Sequence, residues 1–177
     1  MRKLSKKDMM RGVLILSGGV DSTTLLYKMR SDGYEVDAIT FNYAQRHKKE
    51  IDCAKAIAKR LHINHRIVDL SSLASLLGDS ALLGGKEVPS CHYTEEAAKK
   101  TVVPNRNMIM LSVAAGYAEA HEIPEVFYAA HKNDSTIYPD CRPEFVHALR
   151  PAIRLATAWH PVELQAPFVD ISKAEIV

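Results

Sequence analysis

A chain of 177 residues with 47% apolar and 25% charged residues has the size and balance of one soluble globular domain around one core. Its net charge of +2 is too small for the basic stripe that nucleic acid or an anionic membrane requires. No apolar run approaches the roughly 18 residues of a membrane span. The three scattered cysteines, Cys53, Cys91 and Cys141, form no C-x-x-C pair and fit free thiols in a reducing cytoplasm.

The basic start (Arg2, Lys3, Lys6, Lys7, Arg11) reads as a solvated tail over residues 1–11. It is not a secretory signal, because the apolar run Gly12–Leu16 passes directly into a glycine loop. That run has strand length. A helix is predicted from Ser22 to Ser31, with Leu25, Leu26 and Met29 on one face and Gly33 as its stop. Tyr34–Phe41 reads as the second strand, Lys48–His62 as an amphipathic helix and His65–Leu70 as the third strand. Ser71–Val103 is irregular apart from a short helix predicted over Thr94–Lys100, and stretches of this kind serve as lids or binding loops. Asn105–His121 is a strong helix and Glu125–His131 a fourth strand. A polar loop then leads to a helix over Pro143–Ala158, opened by proline and expected to bend near Pro151, and to a fifth strand at Val162–Ala166.

Alternating strands and helices predict right-handed crossovers. The expected fold is an α/β domain with a five-stranded, mostly parallel sheet and helices on both faces. Ser172-Lys173-Ala174-Glu175 is a capping box that announces a further helix. Two residues beyond the box are too few for a helix to stand alone, so the chain reads as interrupted.

The chemistry starts at Ser17-Gly18-Gly19-Val20-Asp21-Ser22, between the first strand and first helix. Glycines allow close backbone approach, and backbone N–H groups at a helix N-terminus attract phosphate. Asp21 would repel phosphate unless a cation intervened, and Mg²⁺ held by carboxylate and phosphate oxygens answers that need. The loop matches neither G-x-x-x-x-G-K-[ST] nor G-x-G-x-x-G. Three more motifs follow predicted strands: Asn42-Tyr43-Ala44-Gln45-Arg46-His47, the stretch His131–Phe145, and Asp170–Ile176. Ligands of open parallel sheets bind beyond the carboxyl ends of the strands, so these motifs share one rim. Val103-Pro104-Asn105-Arg106-Asn107 opens the long helix, and its arginine suits phosphate or carboxylate.

The SGGVDS loop resembles that of the PP-loop ATPases, which adenylate or phosphorylate an oxygen so that a nucleophile can displace it. With Tyr43–His47, VPNRN, YPDCRPEF and D-x-SKAEI, the chain resembles the 7-cyano-7-deazaguanine synthase family from Leu14 to Ile176. Ala44 stands where that family usually has glycine. The resemblance implies a ligase forming carbon–nitrogen bonds. Its substrates would be 7-carboxy-7-deazaguanine, ammonia and ATP, and its pathway queuosine or archaeosine biosynthesis. The resemblance also implies a homodimer in the cytoplasm, with neither nucleic acid nor membrane as partner.

On this reading Leu16, Ser17, Gly18, Gly19, Val20, Asp21, Ser22 and Thr23 form the ATP loop, and Phe41 and Asn42 take the adenosine. Asp21 meets Mg²⁺. Arg106 and Lys173 join it as catalytic candidates by offsetting charge during transfer. Tyr43, Gln45, Arg46, Asn105, Asn107, Asp134, Tyr138, Asp140 and Arg142 bind the deazaguanine, with Asp134 or Asp140 facing its N–H edge. The family's four zinc-binding cysteines are expected beyond the segment matched at Ile176, and Cys53, Cys91 and Cys141 cannot replace them by spacing. Two rivals stand beside this reading: another PP-loop amidating or tRNA-modifying enzyme, and a truncated ATP-binding module without catalysis.

Overall fold

The computed structural model describes residues 10–43, 48–73, 76 and 103–176. Five strands form one parallel sheet: β1 (Arg11–Ile15), β2 (Glu35–Asn42), β3 (Asn64–Asp69), β4 (Glu125–Phe127) and β5 (Glu163–Gln165), in the order β3-β2-β1-β4-β5. The helices are α1 (Val20–Ser31), α2 (Lys48–Arg60), α3 (Arg106–Ala120), α4 (Pro143–Ala156) and α5 (Lys173–Ile176). The predicted helix over residues 94–100 lies outside the described residues. No described helix is long and apolar enough to cross a membrane.

Both faces of the sheet are buried, as the near-continuous apolar strands require. Neighbouring residues of β1 point to opposite cores. Val13 packs with Ile39 and with Leu111, Ala114 and Ala118 of α3 and Val146 and Leu149 of α4. Leu14 packs with Ala38, with Leu25, Leu26 and Met29 of α1, and with Ala54 of α2. Leu14, Leu26, Leu111 and Ala114 are wholly buried. Each buried leucine contributes about 1.5–3 kcal/mol by leaving water.

β4 differs most from the sequence reading, and Arg11, counted in the tail over residues 1–11, opens β1. β4 stops at Phe127, four residues short of His131. Its neighbour β1 ends at Ile15 and β5 at Gln165, so beyond Tyr128, whose N–H still reaches the Gln165 carbonyl at 3.1 Å, the ladder runs out. Residues 129–131 therefore enter the loop region. α4 runs through Pro151 as one helix. Pro151 and His147 are both exposed, so the carbonyl that proline leaves without a donor faces water.

The strand order reverses between β1 and β4: β1 leads outward to β2 and β3, β4 to β5. Flanking loops diverge at such a point and leave a crevice at the carboxyl ends of the strands. The SGGVDS loop and the segment after β4 are the two walls of that crevice.

Candidate functional site

Ser17–Gly19 closes on itself through hydroxyls. The Gly19 N–H donates to Ser17 Oγ at 3.2 Å, Ser17 Oγ meets Ser22 Oγ at 3.0 Å, and Ser22 Oγ donates to the Gly19 carbonyl at 3.2 Å. One N–H expected to face phosphate is thus held inside the loop. Gly18 has φ +89°, the left-handed region that glycine tolerates. A Cβ there would come within 2.1 Å of the Glu50 carbonyl oxygen, so the loop is packed backbone to backbone on α2. Gly19 is the N-cap of α1, which places the loop at the positive end of that helix. Below it, Thr40 on β2 donates to the Leu16 carbonyl and pairs with His65 Nε2 at 2.8 Å, fixing the stem.

The crevice holds a cavity of about 250 Å³. Leu16, Ser17, Asp21, Ser22 and Phe41 line its loop side, and Tyr43, Arg106, Asn107 and Asp134 its far side. Nine sequence candidates are thus brought to one hollow. Among the described residues Gly18, Gly19, Val20, Thr23, Asn42, Asn105, Tyr138, Asp140, Arg142 and Lys173 do not line it, and Gln45 and Arg46 lie outside the described residues. Val20 is exposed on α1 and Asn105 is exposed with φ 56°. Arg142 is exposed and donates from Nε to the Ser135 carbonyl at 3.0 Å.

Arg106 stands between two tyrosine rings, 5.7 Å from the Tyr43 centroid and 5.5 Å from that of Tyr138, a cation–π arrangement. Burial opposes its charge, but the oxygens of Tyr43 and Asp140 outweigh that and raise its pKa. No carboxylate among the described residues forms an ion pair with it. A cation so placed suits an anionic group of a ligand.

The two aspartates that the sequence left interchangeable are not. Asp140 accepts from the Asn107 backbone N–H at 2.8 Å and from Asn107 Nδ2 at 3.2 Å, so it caps α3. Asp134 has no such partner. It lies 3.4 Å from His131 Nε2, and burial followed by the charge of Asp21 raises its pKa against the opposing pull of His131 and Lys173.

Asp21 Oδ2 meets Lys173 Nζ at 3.2 Å and His131 Nε2 at 3.6 Å. Asp21 Oδ1 is enclosed without a hydrogen-bond partner among the described residues. Lys173 arrives there because its backbone N–H donates to Asn133 Oδ1 at 2.9 Å and Lys132 N–H to the Ile171 carbonyl at 3.0 Å. Half of the capping box behind it has formed: Glu175 Oε2 accepts from Ser172 N and Oγ, both at 2.7 Å, while the Glu175 N–H goes to the Ser172 carbonyl and not to its hydroxyl.

Three contributors were given no role from sequence. Glu50 and Tyr128 have no local pattern that marks them, and only the crossing of chain segments brings them to the cavity; His131, which opens the polar stretch after β4, stands beside Asp21 and Asp134. The one available signal was His131 as the sole titratable residue closing the apolar run Val126–Ala130.

A partnerless anionic oxygen on Asp21, beside a hydroxyl-rich loop at a helix N-terminus, fits Mg²⁺ shared with phosphate. Among the described residues no three His, Cys, Asp or Glu side chains form a group able to hold a metal ion. Cys53 is exposed on α2, whereas Cys141 is buried and 3.2 Å from Asn107 Nδ2.

A five-stranded parallel sheet with the SGGVDS loop at its switch point defines an α/β protein of the PP-loop type. The chain matches the family model for Queuosine biosynthesis protein QueC over residues 11–177, and it belongs to that family. It is 54% identical to a 7-cyano-7-deazaguanine synthase of Archaeoglobus fulgidus, over 95% of this chain and 70% of that one. It is 53% identical to the synthase of Methanoregula boonei, over 94% and 76%. A solved structure described as a predicted subunit of tRNA methyltransferase from Methanocaldococcus jannaschii shares the fold, with a TM-score of 0.60 at 16% identity over 95% of this chain and 72% of that one.

Proposed function

We propose that this chain is an ATP-dependent ligase that converts 7-carboxy-7-deazaguanine and ammonia to 7-cyano-7-deazaguanine in queuosine biosynthesis, working in the cytoplasm. The observation that carries the reading is the pairing, in one crevice, of a loop built for phosphate with a half-buried arginine that has no carboxylate ion-pair partner among the described residues. Family membership supplies the chemistry in which that pairing makes sense.

A carboxylate resists amine attack because its charge is delocalised and oxide leaves poorly. Transfer of a nucleotidyl or phosphoryl group from ATP to that oxygen makes it a leaving group. Ammonia displaces it and gives the amide. A second activation, at the amide oxygen, lets the remaining oxygen leave and the nitrile form.

Ser17, Gly18, Ser22 and Thr23 hold the phosphates, and Leu16, Phe41 and Asn42 the adenosine. Bound Mg²⁺ would offset phosphate charge at Asp21. Lys173 shares Asp21 and carries a mobile cation, its side chain 56% exposed, toward the same phosphates. Arg106 holds the acceptor carboxylate between Tyr43 and Tyr138 and stabilises charge as the oxygen is transferred. Asp134 faces the guanine-type N–H edge. Asp140 supports the site from behind, through Asn107 and α3.

Sulfur transfer, the chemistry of the thiolating rivals, needs a thiolate. Burial pushes the Cys141 thiol up to about 12, which keeps it neutral at working pH. Asp21→Asn should lower Mg²⁺-dependent ATP consumption about a hundredfold or more. Consumption at the unaltered rate would refute the assigned role of Asp21.

A further inference from the structure

His131 is 3% exposed and has no part in the roles above. Its Nε2 lies 3.6 Å from Asp21 Oδ2 and 3.4 Å from Asp134 Oδ2, while its Nδ1 is enclosed without a partner. A neutral imidazole carries one N–H. Two acceptors face Nε2 and, among the described residues, none faces Nδ1, so an N–H belongs on Nε2. Both separations exceed a good hydrogen bond, so this N–H is committed to neither carboxylate and can close on one only by leaving the other. Asp21 comes from the first turn of α1, just after β1, and Asp134 from the turn after β4. They are the nucleotide side and the acceptor side of the crevice. Lys173, also on Asp21 Oδ2, accompanies both arrangements.

We propose that His131 is a positioning residue that couples the two sides by sharing one N–H between Asp21 and Asp134, a role that rests on the nucleotide reading of Asp21. With the N–H on Asp134, Asp21 keeps its full charge for the cation that accompanies ATP. When Asp134 turns to the N–H edge of the acceptor, the imidazole closes on Asp21 and weakens its hold on that cation. Linkage makes the effect reciprocal.

The test is the affinity for α,β-methylene-ATP with Mg²⁺, by calorimetry, in the unaltered chain, Asp134→Asn, His131→Leu and the double variant. Asp134→Asn replaces the competing carboxylate by a neutral, weaker acceptor and shifts the N–H toward Asp21, so it should weaken binding about fivefold when His131 is present. In the His131→Leu background that loss should vanish, and His131→Gln, which restores an N–H of similar reach, should bring it back. A purely packing role for His131 would lower the melting temperature and leave the Asp134→Asn effect equal in both backgrounds. That result, or no loss with His131 in place, overturns the proposal. Should His131→Leu not fold, saturating 7-carboxy-7-deazaguanine should weaken analogue binding by a similar factor in the unaltered chain and not in Asp134→Asn; unchanged affinity would overturn it equally. If the unaltered chain bound no nucleotide, the nucleotide reading would fall and take the coupling with it. Binding with additive effects removes the coupling alone.

Discussion

Cys141 and Asp140 are adjacent in sequence, yet the surroundings of each set it a different task. Cys141 lies in the core beside Asn107, its ionisation suppressed first by burial and then by the charges of Asp134 and Asp140. In the unfolded chain the thiol ionises near its ordinary value of 9.0; in the folded chain it does so only at about 12. Above pH 9 the unfolded state therefore sheds a proton that the folded state keeps. The contribution is complete below pH 9 and is lost as pH rises toward 12. The melting temperature of Cys141→Ala should accordingly fall less steeply between pH 9 and 10 than that of the unaltered chain. Equal slopes would show that the thiol does not titrate in this way.

Asp140 should behave as a helix cap. Asp140→Ala should cost about 1–2 kcal/mol in urea unfolding, the usual loss when a capping carboxylate is removed. A variant of unchanged stability but lost acceptor binding would return Asp140 to direct recognition. The sequence supplied both aspartates at the correct rim but could not rank them. The difference lies in Asn107, 33 residues away in the chain, whose N–H groups occupy one aspartate and leave the other.

At the scale of elements, local chemistry had already declared most of the fold. Gly33 stops α1 near the expected residue, Pro143 starts α4, and Ser172 with Glu175 forms half of the box that positions Lys173. β4 was overestimated because Tyr128–Ala130 is apolar for a different reason: Tyr128 and Ala130 are buried beyond the sheet, against the helices, not within a ladder. The SGGVDS loop shows the same limit. Its residues were legible, but its dependence on α2 was not, because Glu50 meets Gly18 only in three dimensions. Gly18→Ala should therefore act on two elements together. With φ at +89° and backbone within 2.1 Å of the added carbon, the loop must open and α2 must shift. Nucleotide binding should be lost and the melting temperature lowered. Full nucleotide affinity in this variant would mean that the loop geometry described does not set the phosphate site.

The whole molecule adds what no single motif contains. Alternation of strands and helices gave a parallel sheet, but it did not give the order β3-β2-β1-β4-β5. That order puts the reversal between β1 and β4, and so brings a loop near residue 20 beside one near residue 131 and a helix starting at Lys173. The wedge between them is lined by Leu16, Ser17, Asp21, Ser22 and Phe41 on one side and by Tyr43, Arg106, Asn107 and Asp134 on the other, the two sides proposed for nucleotide and acceptor. His131 stands on the seam: Asp134 is its neighbour three residues on, but Asp21 reaches it only through the folded arrangement.

The central claim is that this crevice converts a deazapurine carboxylate to its nitrile with ATP. Purified chain incubated with ATP, Mg²⁺, ammonium and 7-carboxy-7-deazaguanine, with products followed by mass, tests it most directly. The account predicts 7-cyano-7-deazaguanine, dependent on both ATP and ammonium. Binding of nucleotide with no nitrile formed, or turnover of guanosine-type or tRNA substrates in its place, would contradict it.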